Sequence, residues 1–188
     1  MKKKTLFLII LGLLIVVLAG GVFWWWQDQS EVKELNKNLP KGVRVVKSLF
    51  GKEYKVINEI DGYELKIPKE WGGLAKIEYF KEEKNRTTGL SLEGLRGKEK
   101  ELGVICYKLN QENISLEDWV KELFRKFKLS DLIKIEKKKI GDFEVVQVRA
   151  EEQFKGFVWN FFKKNLKIYE IDGISNELLR EIILNGKW

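Results

Sequence analysis

The sequence predicts an α+β fold in which an N-terminal transmembrane helix precedes an antiparallel β-sheet domain covered by helices. Three observations carry that expectation. Residues 5–26 hold no charge. Apolar residues then alternate with polar ones through most of 54–171. Apolar stripes of helical period at 115–129 and 174–183 interrupt and end that alternation.

Residues 5–26 read TLFLIILGLLIVVLAGGVFWWW, and a helix of that length spans ~33 Å at 1.5 Å per residue, enough for a hydrocarbon core of ~30 Å. Lys2, Lys3 and Lys4 precede it and Asp28 and Glu31 follow it. The positive-inside rule therefore expects a single-pass protein of the cytoplasmic membrane, with the N terminus cytoplasmic and the C-terminal domain extracytoplasmic. Lys2, Lys3, Lys4, Trp24, Trp25 and Trp26 are the expected membrane-interface residues, the tryptophans forming an aromatic belt where the helix leaves the bilayer. A cleavable signal peptide is the alternative, with 6–18 as its apolar region and Ala19-Gly20-Gly21 as small residues for cleavage. Glycine stands where a lipidated cysteine would complete a lipobox, so lipidation is not expected.

Residues 1–26 are thus read as an anchor, 27–54 as a juxtamembrane linker and 55–188 as the extracytoplasmic domain. Within the linker, Ser30 caps a short helix that Pro40-Lys41-Gly42 breaks, and Val43 and Val45 pack on the domain. Tyr54, Val56 and Ile60 lead into Asp61-Gly62, a pair suited to a two-residue hairpin turn. Tyr63, Leu65 and Ile67 alternate until Pro68 stops the ladder. Ile77 with Tyr79, Leu90 with Leu92, and residues 104–109 supply further strands. In 115–129 the residues Leu116, Trp119, Val120, Leu123, Phe124 and Phe127 form one helical stripe, with Ser115 as cap and Asp118 three residues on. A meander follows, with turns at Gly141-Asp142, Lys155-Gly156 and near Asn165. A last helix presents Ile174, Leu178, Leu179, Ile182 and Ile183, capped by Ser175 or Asn176.

Composition excludes several kinds of chemistry. The chain has no histidine and one cysteine, Cys106, which removes Ser-His-Asp and Cys-His catalysis, histidine-ligated metals and an internal disulfide. Lys2, Lys3 and Lys4 supply three of the 35 basic side chains, leaving 32 against 28 acidic ones. That small excess is interleaved with acid and nearly all lysine, so no nucleic-acid partner is expected.

The stretch Gly62-Tyr63-Glu64-Leu65-Lys66-Ile67-Pro68-Lys69-Glu70-Trp71 resembles the opening strand of the PsbP-like superfamily, G-[FY]-x-[FL]-x-[IVY]-P-x-x-W. The 115–127 helix, the Gly141-Asp142-Phe143 hairpin and the Ile182-Ile183 helix end look like their counterparts there. The resemblance spans about residues 55–188. It implies a non-enzymatic domain, often secreted or membrane-attached, that binds or stabilises other proteins. The retained anchor and the lack of a transit peptide depart from the photosynthetic members, so no photosystem role is implied.

The candidate chemical groups each have a plain structural reading beside the functional one. Glu82-Glu83 and Glu151-Glu152 are adjacent on strands, so their side chains point to opposite faces and cannot converge on one substrate. Cys106 lies in an apolar strand, as a buried structural thiol does. Phe154, Phe157, Trp159, Phe161 and Phe162 either pack a core or line an apolar pocket. Lys137, Lys138 and Lys139 either touch acidic lipid or cell-wall polymers or guard a sheet edge. The sequons at Asn85-Arg86-Thr87 and Asn113-Ile114-Ser115 carry no supporting context. The expected function is a membrane-anchored, non-enzymatic domain without cofactor or metal that binds a protein or envelope component. The alternative is a carrier or sensor of a small apolar ligand held between sheet and helix.

Overall fold

The computed structural model describes residues 3–47, 53–67, 73–82, 87–94, 101–109, 114–151 and 156–188, with the side chains of 3–10 and 24–29 outside that description. The chain divides into two compact units, Met1–Lys37 and Asn38–Trp188.

The first unit is one helix, α1 (Lys3–Asn36). Its end is held by the Asn36 side-chain amide, which donates to the Val32 carbonyl at 2.8 Å, and by an exposed Lys37–Glu34 pair at 3.3 Å. The expected transmembrane helix is corrected here, together with the single-pass anchor, the cytoplasmic N terminus and the extracytoplasmic placement. Among the described residues no helix is long and apolar enough to cross a membrane. The α1 helix continues through Ser30, Glu31, Lys33 and Glu34. Lys2 and the side chains of Lys3, Lys4, Trp24, Trp25 and Trp26 lie outside the described residues.

In the second unit, period-two sequence becomes two antiparallel sheets. Strands β1 (Val43–Lys47), β2 (Tyr54–Asn58) and β3 (Tyr63–Lys66) form a small meander. The larger sheet comprises β4 (Leu74–Glu82), β5 (Thr87–Gly94), β6 (Glu101–Lys108), β7 (Ile133–Ile140), β8 (Phe143–Ala150), β9 (Val158–Lys164) and β10 (Lys167–Asp172), in the order β4-β5-β6-β10-β9-β8-β7. The expected α+β sheet covered by helices is therefore corrected. The unit is mostly β, with ten strands among the described residues and only α2 (Leu116–Lys126), a 3-10 turn (Ser130–Leu132) and α3 (Asn176–Asn185) as helical pieces. The physical reason is that much of the cover on one face of the large sheet is a second sheet.

Alternation sorts the large sheet into two faces. One carries Tyr107, Ile168, Phe161, Val146 and Val148, and α2 packs there through Leu116, Val120 and Phe124. Ser115 caps α2 by accepting the Asp118 N–H at 3.1 Å. Trp119 meets the Tyr107 ring edge-on at 4.8 Å, so the space between α2 and the sheet is filled. The opposite face carries Leu90, Val104, Tyr169, Ile171 and Phe162. Val56, Tyr63 and Leu65 of the small sheet and Leu179, Ile182 and Ile183 of α3 are buried on that side.

A polar clasp joins the two sheets. The expected two-residue turn at Asp61-Gly62 is instead a four-residue connection between Asn58 and Tyr63, because the Asn58 side chain organises it. Asn58 Oδ1 accepts the Asp61 N–H at 3.0 Å, and Asn58 Nδ2 donates to Asp61 Oδ2 at 2.8 Å. Thr88 Oγ1 of the large sheet donates to Asp61 Oδ1 at 2.6 Å, while Tyr169 Oη and Lys167 Nζ donate to the Asp61 carbonyl at 2.8 and 2.6 Å. Every polar atom of this buried turn thus named has a partner, as burial demands. Just beyond the turn, Glu64 of β3 and Lys187 exchange backbone hydrogen bonds at 2.7 and 2.9 Å.

Candidate functional site

The α2 helix packs on β8 and β9 and reaches Tyr107 at one end of β6; among the described residues it does not extend over the rest of that sheet face, built from β4, β5, the remainder of β6 and one end of β9 and β10. A cleft of about 620 Å³ lies there, lined by Phe80, Ser91, Glu101, Gly103, Ile105, Phe157, Trp159 and Asp172 among others. Cross-strand register places these side chains together: Phe80 lies opposite Gly89, Gly89 opposite Ile105, Ser91 opposite Gly103, and Gly103 opposite Asp172, which in turn lies opposite Trp159.

Two glycines make the floor. A Cβ at Gly89 would overlap the Phe80 ring, and one at Gly103 would overlap the Asp172 carboxylate. Their bare backbones let the ring and the carboxylate lie flat on the sheet. Asp172 accepts the Gly103 N–H, which favours its ionised form, but burial outweighs that bond and holds the carboxyl above its ordinary range.

Glu170, two residues before Asp172 on the same face of β10, is 6% exposed. Its Oε2 accepts a 2.5 Å hydrogen bond from Tyr107 Oη. Burial raises its pKa to about 7; the Tyr107 bond opposes the shift and the neighbouring Asp172 charge adds to it. The Tyr107 hydroxyl is pushed well above its usual value, first by burial and then by Glu170. Phe157 and Trp159 stack with ring centroids 5.9 Å apart and planes at 19°, and Phe157 is 60% exposed at the mouth. Anionic charge is therefore held, poorly solvated, beside an aromatic wall.

The residues singled out from sequence are dispersed. Glu82 and Glu151 are exposed at strand ends, while Glu83 and Glu152 lie outside the described residues. Cys106 is buried on the opposite face, where burial pushes its thiol up to about 12, which leaves it a poor nucleophile. Lys137 pairs with Glu117 of α2 at 2.5 Å, and Lys138 donates to Gln147 Oε1 at 2.6 Å. The aromatic cluster divides: Phe157 and Trp159 line the cleft, Phe161 is buried under α2, and Phe162 faces the small sheet beside Tyr169. Phe154, Asn85, Arg86, Asn113 and Pro68 to Trp71 lie outside the described residues.

Glu170 and Asp172 are not among the acids expected from sequence, which are adjacent pairs. The signal was Ile-Tyr-Glu-Ile-Asp: two carboxylates with i, i+2 spacing within an apolar strand, hence on one face. No protein-family model, curated protein or solved structure matches the chain, so no comparison supports the PsbP-like resemblance.

Proposed function

We propose that residues 38–188 form a small-molecule-binding domain rather than an enzyme, acting through the cleft beside α2. The observation that carries this reading is a cleft of about 620 Å³ with aromatic walls and Asp172 on its floor, a size and lining typical of ligand pockets. The ligand sits beside α2 rather than beneath it, because Trp119, Val120 and Phe124 already fill the helix–sheet interface. A protein or envelope partner is the second reading, favoured by the exposure of Phe80 and Phe157 at the cleft mouth.

The test is a thermal-shift screen of fragments on the full chain and on Ser91→Trp, whose indole fills the cleft. A ligand at ~100 times its Kd stabilises by ~2.7 kcal/mol, or roughly 5–10 °C in Tm for a chain of this size. Fragments should shift the wild type and not the variant. Equal shifts in both proteins, or none in either, refute the cleft as the binding site.

A further inference from the structure

We propose that the cleft takes an organic cation, an amine whose charged head sits on Asp172 while its apolar body lies against Phe157, Trp159 and Phe80. This rests on the cleft being a ligand site and deepens that reading by naming the ligand class.

Two independent features point to a cation. The first is the sign of the lining. The chain carries 35 Lys and Arg against 28 Asp and Glu, so a cleft drawn at random from its surface would be basic. Among the described lining residues, however, the charged ones are Glu101 and Asp172, both acidic. Glu170 adds a third carboxyl two positions from Asp172 on the same face of β10. A low-dielectric floor that collects one sign of charge selects a ligand of the other.

The second feature is the aromatic wall. The stacked rings of Phe157 and Trp159 and the ring of Phe80 across Gly89 offer faces that attract cations through their quadrupoles. They also offer apolar area that a hydrated inorganic ion would not use. Among the described residues no group of three acidic or sulfur side chains converges to hold a metal ion. An organic cation satisfies both features at once.

Burial raises the pKa of Asp172 on the floor, and that of Glu170 behind it. A charge partner therefore relieves an existing electrostatic penalty. An anion or a neutral body of the same shape does not.

The experiment is titration calorimetry on the full chain near pH 8 with three probes that share one ring: benzylammonium, benzyl alcohol and benzoate. Benzylammonium should bind at least about ten-fold more tightly than benzyl alcohol, with benzoate weakest. Asp172→Asn keeps an acceptor for the Gly103 N–H and should bring benzylammonium down to the level of benzyl alcohol while leaving the alcohol unchanged. Glu101→Gln, at an exposed position, should lower the same ratio without threatening the fold. If benzyl alcohol or benzoate binds as tightly as benzylammonium, the cation is wrong and the cleft reading stands. If a preference for benzylammonium survives in both variants, or in Ser91→Trp, the cation is held elsewhere and the inference fails. Silence from all three probes also overturns it, while the fragment screen decides the cleft independently.

Discussion

Replacing Glu170 by Gln removes one ionisable group from the middle of β10 while keeping the side chain's shape and an acceptor for the Tyr107 hydroxyl. In the folded protein burial raises the pKa of this carboxyl from 4.5 to about 7. Below the unfolded value both states hold the proton and the group is neutral in its effect. As pH rises from about 4.5 to about 7, the unfolded chain releases that proton first, so the native state binds more protons and stability falls. At 1.36 kcal/mol per pH unit, the loss is roughly 3 kcal/mol between about pH 4 and pH 8, and it levels off above the folded pKa. With Glu170 6% exposed, solvent screening takes little from that figure.

Asp172 is shifted in the same direction but is present in both proteins. Any cost of burying the Gln amide does not vary with pH. The difference between variant and wild type, measured at both pH values, thus isolates Glu170. Urea unfolding should show the variant gaining about 3 kcal/mol on the wild type between about pH 4 and pH 8, a change in midpoint of roughly 1–3 M at usual slopes. A difference constant within about 0.5 kcal/mol across that range would mean that Glu170 is well solvated or differently paired, and would refute the account of its burial beside Tyr107.

Two further outcomes test the packing. Gly173 has φ +75°, and a Cβ there would meet the Glu101 carbonyl at 2.6 Å; Gly173→Ala should cost about 1–3 kcal/mol in urea unfolding, whereas Gly89→Ala should cost less, because the half-exposed Phe80 ring can swing aside. Phe161→Ala empties the centre of the α2 interface and should cost about 3–5 kcal/mol, lowering Tm in calorimetry without changing the probe preferences of the cleft.

Local chemistry was legible in the sequence wherever a few neighbouring residues decide the outcome. The Ser115 cap and its apolar stripe make α2, Ser175 caps α3 by accepting the Leu178 N–H, and Gly141-Asp142 joins β7 to β8 with Gly141 at φ 58°. Each depends on contacts within about one turn, which sequence order supplies directly. The Asp61 turn was misread because the Asn58 side chain reorganises it locally, and the partners that hold it in place, Thr88 and Tyr169, lie 27 and 108 residues away. The apolar run at 5–26 was read as a span from its length, its flanking charges and its tryptophans, whereas among the described residues no helix is long and apolar enough to cross a membrane.

By itself the sequence determined the periods of its elements, their caps and the exclusion of histidine and disulfide chemistry, since these follow from residue identity and spacing. Tertiary structure decided that a second sheet, more than helices, covers the large one, and that α2 stops short of β4 and β5. It also decided that Phe80, Glu101, Gly103, Trp159 and Asp172, drawn from four strands, enclose one cleft. Strand order and register are set by pairings between distant segments, such as β6 with β10, and no local period encodes which strands will meet.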